Sequence, residues 1–115
     1  MSDKTADAAS LAQRSCKPCE GGVPPMGVSE IESQLAAMDG WNYRDGHLVR
    51  VYRFKNYYRT LGFVNAVGWI AHEEDHHPEL VVNYNTCEVR YQTHAINGIS
   101  ENDFICAAKV DRLLE

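Results

Sequence analysis

A dipeptide sets the strongest constraint on the fold. Asp45-Gly46 separates residues 41–44 from residues 47–54, two runs rich in aromatic and β-branched side chains. Asp-Gly supplies the two positive-φ residues of a type I′ turn, so a β-hairpin is predicted there. A second strand pair, residues 80–84 and 87–93, is predicted around Asn85-Thr86. Helical signals flank both pairs. Ser29 and Glu32 spell a capping box ahead of Ile31, Leu35 and Met38, with Gly40 as a stop. Asn56 is placed to cap a second helix with Tyr57, Leu61, Val64, Gly68 and Ala71 on its inner face, ended by Pro78. Ser100 and Asp103 open a last helix, with Cys106, Val110, Leu113 and Leu114 inward. The expected order is α-β-β-α-β-β-α. Two hairpins and three one-sided helices make an α+β fold: a four-stranded antiparallel sheet with three helices on one face.

Composition narrows the function classes. The chain's 115 residues support one domain. Eleven basic against 16 acidic side chains, a net charge of −5, argue against a protein that tracks nucleic-acid phosphates. The longest unbroken apolar run is residues 104–108, against roughly 20 for a membrane span. Asp3, Lys4 and Asp7 interrupt the start of the chain, which does not read as a secretory signal. A cytoplasmic protein with reduced cysteines is expected, its four thiols being Cys16, Cys19, Cys87 and Cys106. Residues 1–28 hold three of the four prolines and three of the eight glycines and show no helix or strand pattern. They read as a flexible lead-in or a wrapped N-terminal arm carrying Cys16-x-x-Cys19, ahead of a working domain at residues 29–115.

Four of the five histidines, His72, His76, His77 and His94, fall between positions 72 and 94. Imidazole titrates near neutral pH and is the usual carrier of protons there. His76 and His77 stand where a helix breaks, and His94 where a strand ends, so one sheet rim can gather all three. The plain structural alternative is a helix-terminal histidine complementing the macrodipole. His72-Glu73-x-x-His76 also spells the H-E-x-x-H zinc-hydrolase signature, but Pro78 cuts its helix short. Cys16-x-x-Cys19 lacks the following helix that would activate a redox thiol, since Gly21, Gly22, Pro24 and Pro25 come next. As a zinc half-site it lacks a second pair, unless two arms combine. Cys87 and Cys106 read as small core hydrophobes. Asp103 has a capping role whatever else it does, and Trp41, Tyr43, Tyr52 and Phe54 read as sheet core.

His76-His77-Pro78, Tyr84, Thr93-His94, Gly98-Ile99-Ser100 and Asp103 together resemble the pterin-4a-carbinolamine dehydratases, over about residues 29–112. The stretch Cys-x-x-Cys-x-Gly-Gly-Val-Pro-Pro is similar to that of some bacterial members. The resemblance implies an enzyme that dehydrates 4a-hydroxytetrahydropterin to quinonoid dihydropterin, without metal or organic cofactor. That reaction recycles the cofactor of aromatic amino-acid hydroxylases, which become pathway partners. His76, His77 and His94 match active-site histidines, and Asp75, Pro78 and Asp103 fall at substrate-binding positions around the pocket. His76 and His94 are assigned as the acid/base pair and His77 to substrate contact. His72 departs from the acidic residue common at its position, and Leu80 from the tryptophan of animal members. A homo-oligomer, a dimer first, is implied as well. Two other roles accompany the resemblance: dimerisation with a transcription factor, and a divergent place in pterin or molybdenum-cofactor metabolism.

Overall fold

The computed structural model describes residues 6–18 and 24–115. Asp45 (φ 52°) and Gly46 (φ 79°) form the expected turn between β1 (Asn42–Arg44) and β2 (His47–Arg53). The second pair is β3 (Glu79–Val82) and β4 (Thr86–Tyr91). Its connection is the longer loop 83–85, not Asn85-Thr86, and the Asn83 amide closes it by donating to the Thr86 carbonyl at 2.8 Å. The strands form one antiparallel sheet in the order β1-β2-β4-β3. Leu48 pairs with Tyr91, Arg50 with Val89 and Tyr52 with Cys87 on the helix-covered face. The opposite face carries a ladder of alternating charge, Arg44–Glu88–Arg90–Glu79.

Among the described residues four α-helices accompany the sheet: α1 (Ala8–Gln13), α2 (Val28–Leu35), α3 (Tyr57–Glu74) and α4 (Glu101–Arg112). Helix α2 starts one residue before Ser29; the Gly27 amide donates to Glu30 Oε1 at 3.3 Å, in place of the expected Ser29–Glu32 box. Gly40 (φ 89°) holds a left-handed backbone conformation that strains any residue with a Cβ. Asn56 caps α3, Oδ1 accepting from the Arg59 amide at 3.0 Å. The inward stripe of α3 is Thr60, Phe63 and Val67, one position around from the expected face. Thr60 tolerates burial because its hydroxyl reaches the Asn56 and Tyr84 carbonyls, each at 3.0 Å. Tyr57, Tyr43, Leu113 and Leu114 are exposed, contrary to the inward positions expected for them.

The arm departs furthest from expectation. Residues 8–13 are helical, capped by Asp7, whose Oδ1 accepts from the Ser10 amide at 2.7 Å. Leu11 is 1 % exposed and joins the core against α4. Burying such a side chain contributes about 2 kcal/mol. Lys109 Nζ ties the helix down by donating to the Ala12 carbonyl at 2.8 Å. Helix α4, buried from Asn102 to Ala108, is therefore apolar on two sides, one toward the sheet and one beneath α1.

Candidate active site

Three element ends meet at one rim of the sheet. Asp75 (φ 51°) ends α3 in the left-handed conformation, and the His76 amide closes the turn on the Ala71 carbonyl at 3.1 Å. The chain leaves through His76 and His77 into Pro78 and β3. Just past the end of β4, Thr93 pairs with Gly98 across the short turn His94–Ile96, which Asn97 (φ 49°) completes. Non-glycine residues in this conformation cost free energy, and two of the three in the described chain flank these histidines. The third end is the start of α4. Ser100 Oγ accepts from the Asn102 amide at 3.2 Å, and Asp103 Oδ2 from the Ser100 amide at 3.0 Å.

These ends enclose a cavity of about 540 Å³ lined by His76, His77, His94 and Asp75, with Gln92 and Thr93 beside them. The His77 and His94 rings face each other at 5.7 Å and 53°. His76 lies deeper, its side chain 12 % exposed, stacked on Tyr91 at 5.9 Å and 6°. Its Nε2 stands 2.6 Å from Asp103 Oδ1. Asp103 is wholly buried, and its other oxygen also accepts from Thr93 Oγ1 at 2.7 Å. Ser100 Oγ lies 2.7 Å from that threonine hydroxyl, completing a chain of hydrogen bonds behind His76.

Not every expected position reaches the cavity. Asp103, expected at a substrate-binding position, stands behind His76 with both oxygens engaged and is not part of the cavity lining. Pro78 is half-buried outside the lining, where it turns the chain into β3. Tyr84 stacks on Tyr57 at 6.1 Å, also outside. His72 and His76 do not share a helical face, because Asp75 breaks the helix between them and His72 packs against Trp69. Among the described residues no three His, Cys, Asp or Glu side chains cluster as metal ligands. Cys19 lies outside the described residues, so the geometry of Cys16-x-x-Cys19 does too.

Sequence reasoning missed two parts of the site. Tyr91 is the platform under His76; its phenol is fully buried, which pushes its pKa up, and meets no hydrogen-bond partner among the described residues. The alternation of β4 places it inward, but nothing local announces the stack. The second part is the arm: residues 15–18, with Asn102 of α4, line the same cavity as the histidines.

The model of the family "Pterin 4 alpha carbinolamine dehydratase" matches residues 24–113. A protein of Nitrosomonas eutropha, named provisionally as a pterin-4-alpha-carbinolamine dehydratase, is 60 % identical over 105 residues, covering 90 % of this chain and 93 % of its own. One of Dechloromonas aromatica with the same provisional name is 50 % identical over 110 residues, covering 96 % and 98 %. The crystal structure of a transcriptional coactivator/pterin dehydratase from Brucella melitensis superposes with a TM-score of 0.76 at 32 % identity, covering 79 % of this chain and 99 % of that one. With the family model spanning most of the sequence and the same sheet and helices recurring in a solved relative, the chain belongs to the pterin-4-alpha-carbinolamine dehydratases, a family of hydro-lyases.

Proposed function

We propose that the protein dehydrates 4a-hydroxytetrahydropterin to quinonoid dihydropterin, by histidine acid/base catalysis within residues 29–115. The observation that carries this reading is the convergence of three histidines on one cavity, one of them backed by a buried carboxylate. The carbinolamine hydroxyl is a poor leaving group. It departs as water when a proton reaches its oxygen as the C–O bond breaks. A ring N–H proton is then lost, and its electron pair closes the C=N bond. Two imidazoles in opposite protonation states do both, each worth roughly 10²–10⁴ in rate.

Asp103 sorts the pair. Accepting from His76 Nε2–H, it leaves Nδ1 as the basic atom of the neutral ring and steadies the imidazolium that forms. His76 is then the base and His94 the acid, with His77 against the substrate. Asp75 is the carboxylate offered to the pterin's N–H groups, and Asp103 acts through His76 as a positioning residue. The product re-enters tetrahydropterin recycling for aromatic amino-acid hydroxylases. Turnover of chemically generated carbinolamine tests this directly: dehydration well above the spontaneous rate is expected. A rate equal to the buffer blank overturns the reading in favour of a protein-interaction role.

The same proposal includes a homodimer. Strands β1 and β3 are the sheet's edges, and pairing across a two-fold axis satisfies backbone groups that an open edge leaves to water. Light scattering on the full chain at micromolar concentration is expected to give twice the monomer mass or a multiple of it. A monodisperse monomer excludes the dimer.

A further inference from the structure

We propose that Cys16 and Cys106 form a reversible redox site, joined by peroxide-class oxidants into a disulfide that fastens the arm to α4 at the wall of the histidine cavity. Their sulfurs are 3.4 Å apart although 90 positions separate them in the chain. A disulfide brings sulfurs to about 2.0 Å, so an approach of about 1.4 Å from the observed 3.4 Å completes the bond.

The thiols do not create this approach themselves. Lys17 and Asn102 exchange two hydrogen bonds, the Lys17 amide to Asn102 Oδ1 at 3.0 Å and Asn102 Nδ2 to the Lys17 carbonyl at 2.6 Å. The Cys16 amide donates to Glu74 Oε1 at 2.8 Å. Three bonds that do not involve the sulfur thus hold Cys16 over α4, on the segment that lines the cavity, and the thiol itself donates to the Asn102 carbonyl at 3.7 Å. Cys16 is half-buried and Cys106 fully buried. The hydrogen bond to Cys16, together with burial, pushes the Cys106 thiol up, and Cys16, the more exposed of the two, is the sulfur an oxidant meets.

The chemistry closes in two steps. Cys16 sulfur attacks a peroxide oxygen; an S–O bond forms, the O–O bond breaks, and Cys16 sulfenic acid and water result. Cys106 sulfur then attacks Cys16 sulfur, the S–S bond forms and the S–O bond breaks. The Cys106 proton leaves with the hydroxyl as a second water. Two thiols are oxidised by two electrons and one peroxide is reduced. The site stands apart from the proposed dehydration, since neither sulfur belongs to the histidine machinery.

The test is hydrogen peroxide, at a few-fold molar excess, on the fully reduced full-length protein, followed by alkylation and peptide mapping by mass spectrometry. The expected product is an intramolecular Cys16–Cys106 cross-link, lighter than the reduced chain by two hydrogens and reversed by dithiothreitol. Closing so long a loop is expected to raise Tm by at least about 5 °C. Cys19→Ser keeps the cross-link and Cys16→Ser loses it. Pairing of Cys16 with Cys19, a disulfide between chains, or Cys16 sulfinic acid without a cross-link overturns the proposal. So does a cross-link that leaves Tm unchanged, because the arm is then not fastened to the fold.

Discussion

His76→Ala is expected to lower carbinolamine turnover at least about tenfold, and by as much as about 10⁴-fold if the ring is the sole base. His94→Ala is expected to show a loss of the same order. The two variants part company in stability. His94 is exposed at the start of a short turn, where a side chain adds little packing, so its removal leaves the circular dichroism spectrum and Tm near wild type. His76 is stacked on Tyr91 and bonded to a buried carboxylate. Its removal leaves Asp103 Oδ1 without that partner and costs about 1–3 kcal/mol. Turnover is therefore read well below the melting transition of each variant, with urea unfolding measured alongside. Wild-type turnover in both variants removes the acid/base assignment. A His94→Ala chain that has lost several kcal/mol contradicts the exposed turn.

The difference between these variants marks how far the sequence alone reaches. Asp45-Gly46, Asn56 and the Ser100–Asp103 box act within a few residues of themselves, and each stands in the structure where local chemistry puts it. The three histidines were legible because their chemistry is distinctive and element breaks surround them. What failed was information carried by distant partners. Six residues are too few to display a helical period, so α1 shows only through Leu11 buried on α4. The inward face of α3 differs from the apolar pattern because a polar Thr60 sits in its inward stripe, satisfied by a carbonyl 24 positions away. Asp103 was readable as a cap, which it is, but its hold on His76 spans 27 positions. The arm's place at the cavity wall depends on Asn102, 85 positions from Lys17, and no local pattern announces it.

Asp103→Asn is expected to separate positioning from packing. The substitution keeps size and leaves one oxygen able to accept from Thr93 Oγ1 and the Ser100 amide. The amide nitrogen then faces His76 Nε2, donor against donor. His76 relieves the conflict by accepting at Nε2 and carrying its proton on Nδ1, which removes the basic atom. Turnover should fall by roughly 10²–10⁴ with KM little changed, because the altered group lies behind the ring and not in the cavity. The stability loss should stay near about 1 kcal/mol, the worth of one weakened hydrogen bond. Asp103→Ala is the harsher counterpart: it takes the acceptor from the Ser100 amide and from His76 and leaves the Thr93 hydroxyl with Ser100 Oγ alone, at a cost of about 3–5 kcal/mol. Steady-state kinetics and urea unfolding on both variants decide the matter. If Asp103→Asn keeps wild-type kcat, the carboxylate is a helix cap alone. If it raises KM while sparing kcat, Asp103 serves substrate binding. A fall in kcat confined to the asparagine variant's chemistry, with the fold intact, is what a carboxylate fixing an imidazole's tautomer produces.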